Sequence, residues 1–159
     1  MHSNIYQISS KPIEEDEYSF PERYYEDSCF ADYIGESYKG DERQECVKDF
    51  GNLIKDVFEA EGDGVFVYKG EAALKAFNKK WADALKHEVG ALSADNLYKH
   101  LYSIRRLTEK THLDVYSRVD IEEWTGGSAY PFGELFEWAG SQLKKGDRIY
   151  VGAVLDYHF

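Results

Sequence analysis

The apolar pattern is densest at the end of the chain, where Arg148 to Phe159 reads Arg-Ile-Tyr-Val-Gly-Ala-Val-Leu-Asp-Tyr-His-Phe. Both alternating sets, Ile149/Val151/Ala153/Leu155/Tyr157 and Tyr150/Gly152/Val154, are apolar or small, as a strand covered on both faces requires. The pattern therefore predicts a central strand there. Asn4 to Ile8 reads as a short strand with Ile5 and Ile8 inward, ended by Ser9 to Pro12. Val65 to Tyr68, between Gly64 and Gly70, is another. His112 to Ile121 has a clean period of two, with Leu113, Val115, Val119 and Ile121 on one face. His112, Asp114, Tyr116, Arg118 and Asp120 lie on the other, which makes it a strand with one wet or functional face.

Helical periodicity separates these strands. Val47, Phe50, Ile54, Val57 and Phe58 form the stripe of a helix over about 42–60, with Asp41 and Gln44 resembling a capping box and Gly62 closing it. Leu74, Phe77, Trp81 and Leu85 mark a helix over about 71–88, stopped by Gly90. Ser93 caps the next, with Leu97, Leu101, Ile104 and Thr108 inward, and these two helices form an αα-hairpin. Pro131 starts a helix running to about Leu143, closed by Lys144, Lys145 and Gly146. Phe30, Tyr33 and Ile34 predict a short helix from Asp27 or Ser28 to Gly35. The sum is one α+β domain over residues 1–159, with about four strands in a mixed or antiparallel sheet, four longer helices packed on it and the C-terminal strand central.

Length supports this picture, because 159 residues bury about 70% of their unfolded surface without help from disulfides or metals. Cys29 and Cys46 form no CxxC pair, so reduced structural thiols are expected. No basic region followed by an apolar run opens the chain and no stretch approaches a membrane span, so the expected location is cytoplasmic, with no membrane partner.

Charge changes the picture more. Of the net charge of −11, residues 13–45 hold nearly all, with twelve acids against Arg23, Lys39 and Arg43. Tyr18, Phe20, Tyr24, Tyr25, Phe30, Tyr33 and Tyr38 lie in the same stretch, unlike disordered acidic tails, which are poor in aromatics. It is expected to fold onto the body. A surface of this sign repels nucleic acid and attracts basic proteins.

Motifs for phosphate loops, dinucleotide binding, zincins and nucleophile elbows are missing, so no cofactor and no metal are expected. Gly126-Gly127-Ser128 is a turn signal, and Arg105-Arg106 with Lys110 is a modest basic patch that the chain's own acids can pair. Cys29 lies among acids that disfavour its thiolate. His112-x-Asp114 and Asp156-x-His158 each place a histidine and a carboxylate on one strand face, the material of a general base. With Tyr116 and Arg118 they define an alternative function, a small enzyme of unstated reaction. The leading expectation is a non-enzymatic interaction protein. It would present Glu14, Glu15, Asp16, Glu17, Tyr18, Glu22, Tyr24, Tyr25, Glu26 and Asp27 to a basic protein partner, at the limit as a nucleic-acid mimic or inhibitor.

Overall fold

A computed structural model describes residues 2–18, Phe20, Ala31, 33–111 and 116–158. The expected short helix falls partly outside these residues, as do His112 to Val115. The α+β class holds, but the described residues form a seven-stranded sheet rather than one of about four strands. The strands are β1 (His2–Ser9), β2 (Tyr33–Ser37), β3 (Phe58–Gly62), β4 (Val65–Tyr68), β5 (Arg118–Ile121), β6 (Tyr130–Pro131) and β7 (Arg148–His158). The helices are α1 (Gly40–Ile54), α2 (Glu71–Gly90), α3 (Leu97–Thr111), the one-turn α4 (Glu122–Thr125) and α5 (Glu134–Gln142).

The sheet order is β3-β4-β7-β1-β5-β6, with β2 also paired to β7. Only the β1–β5 pair is parallel, so the sheet is mixed. β7 is central, as its two apolar faces predict. One of its edges runs along β1 from Tyr150 to His158. The other is shared, with β4 opposite Arg148–Tyr150 and β2 opposite Leu155–His158.

The alternation along β7 does not run unbroken. Tyr6 pairs with Val154 and Ile8 with Val151, so Gly152 and Ala153 together face Gln7 in a bulge. An extra residue reverses which face each later side chain takes. Ile149 and Val151 therefore join the main core, beneath α1, α2 and α5, while Ala153, Leu155 and Tyr157 join a second core with Ile5 and Phe20 on the opposite face.

Four expectations are corrected. Tyr33 and Ile34 lie in a strand, because the half of β7 beyond its bulge presents an edge whose pairing outweighs a three-residue helical pattern. The 42–60 helix stops at Ile54, and Val57 and Phe58 are buried in a turn and in β3, where Phe58 pairs with Tyr68. Pro131 lies in β6 opposite Arg118, an edge position where its missing N–H costs nothing, and α5 starts at Glu134. Leu97 and Leu101 face solvent at 40% and 47% exposure, because α3 packs on α2 rather than on the sheet. Among the described residues no helix is long and apolar enough to cross a membrane.

Candidate functional site

The shared edge of β7 leaves a gap where β4 has ended and β2 has not begun. Val151 N–H donates to Gly64 O at 2.8 Å and Tyr38 N–H donates to Val154 O at 2.9 Å. The carbonyls of Val151 and Gly152 are left for a side chain. Arg43 supplies it, donating from Nη2 to Val151 O at 2.6 Å and from Nε to Gly152 O at 2.8 Å. The other buried residues of α1 are Val47, Phe50 and Ile54, so the arginine occupies the first position of an otherwise apolar stripe. Its spacing from Val47 and Phe50 is the sequence signal that would have found it: a base where the period demands a core residue.

Arg43 also reaches the acidic segment. Its guanidinium lies 4.5 Å from the centre of the Tyr18 ring, Nη2 donates to the Tyr18 hydroxyl at 3.3 Å, and Nη1 stands 3.7 Å from the Asp63 carboxylate. Above these groups opens a cleft of about 430 Å³ lined by Glu15, Tyr18, Ser37, Lys39, Arg43 and Asp63, among others. Glu15 and Tyr18 come from the start of the acidic segment and Ser37 to Gln44 from its end, so the cleft joins the two.

The start of the segment is a 3-10 turn, Glu15–Glu17, with a capping box in which Glu14 N–H donates to the Glu17 carboxylate at 3.0 Å. Gln7 ties it to β1 by donating from Nε2 to Glu17 O at 3.3 Å, and accepts at Oε1 from Ala153 N–H in the bulge at 2.9 Å. Tyr18 and Phe20 pack on the second core, as a segment folded onto the body should. Glu14, Glu15, Asp16, Glu17, Glu36, Asp41, Glu42 and Glu45 are all exposed. Arg43 turns its charge inward, which leaves Lys39 as the one exposed base among the described residues of 13–45. No ion pair holds Glu15, Asp16, Glu36, Asp41, Glu42 or Glu45 among the described residues. Glu22, Tyr24, Tyr25, Glu26 and Asp27 lie outside the described residues, as does Cys29.

Of the enzymatic candidates, His112 and Asp114 also lie outside the described residues. β1 stands between β5 and β7, so the described part of β5 is not a neighbour of Asp156 and His158. The side chain that meets Asp156 is instead His2, with Nδ1 3.0 Å from the carboxylate, because β1 and β7 pair His2 with His158. The His2 and His158 rings stand edge to face at 5.3 Å. Tyr38 borders this group: burial first and the Asp156 charge second push its phenol above the ordinary range. Arg118 donates from Nη1 to Ala129 O at 3.1 Å, and Tyr157 donates its hydroxyl to Tyr116 O. Burial, then the charge of Asp49, raises the Cys46 thiol, which favours the unreactive protonated form. No group of three His, Cys, Asp or Glu side chains is placed to hold a metal among the described residues.

Compared with protein-family models, with curated proteins and with solved structures, the chain matches none.

Proposed function

We propose that this is a non-enzymatic interaction protein whose carboxylate- and tyrosine-bearing face between Ile13 and Glu45 receives a basic protein partner, at the limit one that otherwise binds nucleic acid. The observation that carries the reading is the convergence of both ends of the acidic segment on the Arg43 cleft. With the arginine engaged by β7 carbonyls, the surface around the cleft keeps a strong negative field that its own bases do not cancel. Such a field speeds encounter with a cationic partner and selects against anionic ones, while Tyr18 and Tyr38 offer rings with polar tips at the mouth.

A Lys- and Arg-rich helical peptide serves as probe, titrated by calorimetry at low and moderate salt. Reversing Glu15, Asp16, Glu42 and Glu45 to lysine is expected to weaken binding about a hundredfold, and raising salt to weaken wild type about tenfold. A control reverses four exposed acids elsewhere, Glu59, Asp95, Glu122 and Glu137, giving the same net charge. Equal losses in the two variants would mean that overall charge, not this face, attracts the peptide, and the proposal would fail.

A further inference from the structure

β3 ends the sheet order, with β4 on one side and, among the described residues, no strand on the other. Lys69 N–H donates to Val57 O at 2.9 Å, so the backbone groups of Val57 and Glu59 face β4 and those of Phe58 and Ala60 face away from it. Tyr68, opposite Phe58, has the matching phase: its N–H turns to β7 and donates to Asp147 O at 2.8 Å. Every residue of β3 from Glu59 to Gly62 is exposed, so the outward edge is open at Ala60. Beside this edge runs a groove of about 400 Å³, lined by Phe58, Ala60 and Phe66 from the sheet and by Lys48, Gly51 and Lys55 from α1. A Cβ on Gly51 would stand 2.8 Å from the Phe66 ring, so glycine is what lets α1 come this close to β4. A strand added to β3 would send alternate side chains into the groove, on the face that Phe58 and Ala60 share.

Charge says which strand fits. Lys48 and Lys55 are exposed on the groove and no ion pair holds either among the described residues. Asp56, next to Lys55, is held by Lys80 at 3.1 Å instead, and Asp63, which borders the groove, stands 3.7 Å from Arg43 Nη1. A second copy of β3 is the wrong occupant, because antiparallel pairing of two such edges would bring Glu59 and Glu61 of both copies onto one short ladder, like charge beside like. We propose that the β3 edge and the Lys48/Lys55 groove receive an extended acidic segment of a partner protein, added to the sheet as a further strand with its carboxylates toward the two lysines. Backbone pairing supplies affinity and the lysines supply the choice of side chain. The chain's net charge of −11 opposes anionic partners at long range. At physiological ionic strength the screening length is about 8 Å, so lysines beside the added strand are felt where distant acids are not. The site has the opposite sign from the acidic face and does not rest on the reading of that face.

Fluorescence anisotropy on the full chain at physiological ionic strength tests it. The probe is a labelled, capped peptide of alternating threonine and glutamate, and its threonine–glutamine counterpart is the neutral control. Ala60→Pro removes an N–H that faces away from β4, a change that an edge strand tolerates, while Ala60→Val keeps it. The proline variant is expected to bind the acidic peptide at least about tenfold more weakly, and the valine variant as tightly as wild type. Lys48→Glu/Lys55→Glu should weaken the acidic peptide about thirtyfold and leave the neutral one within about threefold. Circular dichroism confirms that the variants are folded. A second measurement leaves the protein unchanged: N-methylation of alternate peptide amides should abolish binding for the set that faces β3 and spare it for the other set. Wild type that does not bind the acidic peptide, or binds the neutral one as tightly, overturns the inference. So does a folded proline variant that binds undiminished, or equal losses from the two N-methylated sets. Self-association of wild type that Ala60→Pro abolishes would give the edge to a second copy and overturn it as well.

Discussion

Arg43 and Val151, 108 positions apart, meet through a 2.6 Å hydrogen bond from the guanidinium Nη2 to the strand carbonyl, and Nε repeats the contact at Gly152 O. A side chain thus does for the middle of β7 what a neighbouring strand does at either end. The arrangement reconciles two demands on one edge: β4 and β2 both pair with β7, yet leave its bulge unserved between them. It also places a positive charge beneath the acidic segment without placing it on the surface.

Replacing Arg43 by methionine keeps the apolar stripe of α1 but leaves two buried carbonyls without donors. An unsatisfied buried polar group costs about 1–3 kcal/mol, so a loss of about 3 kcal/mol is expected. Lysine, with one ammonium in place of a planar fork, should recover about half. Urea unfolding followed by circular dichroism measures both. A loss below about 0.5 kcal/mol for methionine would mean that water serves the two carbonyls equally well.

The bulge supplies a second, coupled test. A Cβ on Gly152 would stand 2.4 Å from Gln7 Oε1 and 3.0 Å from Ile13 Cδ1, so Gly152→Ala must displace the amide that accepts from Ala153 N–H. About 2 kcal/mol of destabilisation is expected, from crowding together with the lost hydrogen bond. Gln7→Ala alone should cost about 1 kcal/mol by removing the acceptor. In the double variant the closest clash, with the Gln7 amide, is gone and only the Ile13 contact remains, so its cost should fall short of the sum by about 1 kcal/mol. Strict additivity would show that the two side chains do not compete for one space.

These two residues also mark where the sequence stops being legible. β7 announced itself because both faces are apolar, and α2 because Leu74 and Phe77 recur at helical spacing before Gly90. Both signals are local. The bulge at Gly152–Ala153 has no local signature, since Ile149 through Tyr157 alternate as evenly as in an unbroken strand; only pairing with Gln7 reveals the reversal of faces. Tyr33 and Ile34 read as the end of a helix because the identity of β2 comes from an edge more than a hundred residues away. His2 met Asp156 for the same reason, through the β1–β7 register. Arg43 was legible in principle: a base in line with Val47 and Phe50 is a misfit in the period, and its place among the acids drew attention to net charge instead.

Glu123 at the start of α4 carries a pH dependence. Its Oε1 accepts from the Ser9 hydroxyl at 3.0 Å, the Ser10 N–H at 3.0 Å and the Ser10 hydroxyl at 2.8 Å, fastening the end of β1. Partial burial opposes the charged form, but the serine hydrogen bonds outweigh it and hold the carboxyl below its ordinary 4.5. A carboxyl with a depressed folded value stabilises above the unfolded value and loses that contribution as pH falls through the folded one. Glu123→Gln should therefore cost about 1 kcal/mol at pH 7, a figure kept low because the side chain is exposed and solvent screens it. The difference from wild type should shrink as pH drops below about 4.5. Urea midpoints of the two proteins at pH 7, 5 and 3.5 decide it, and a gap that widened toward acid pH would contradict the assignment.

Hydrogen exchange should separate β7 from α3. The amides of β7 lie between β1 and the strands on its other edge, over two buried cores, so they are expected to exchange only through global unfolding. Among the described residues α3 packs chiefly on α2 and has no buried residue from Leu97 to Leu107, so its amides should open at least about 2 kcal/mol more easily. Mass-spectrometric exchange on peptides covering 97–107 and 148–158 reads the difference. Equal protection of the two peptides in dilute protein would show that α3 is held by more than α2.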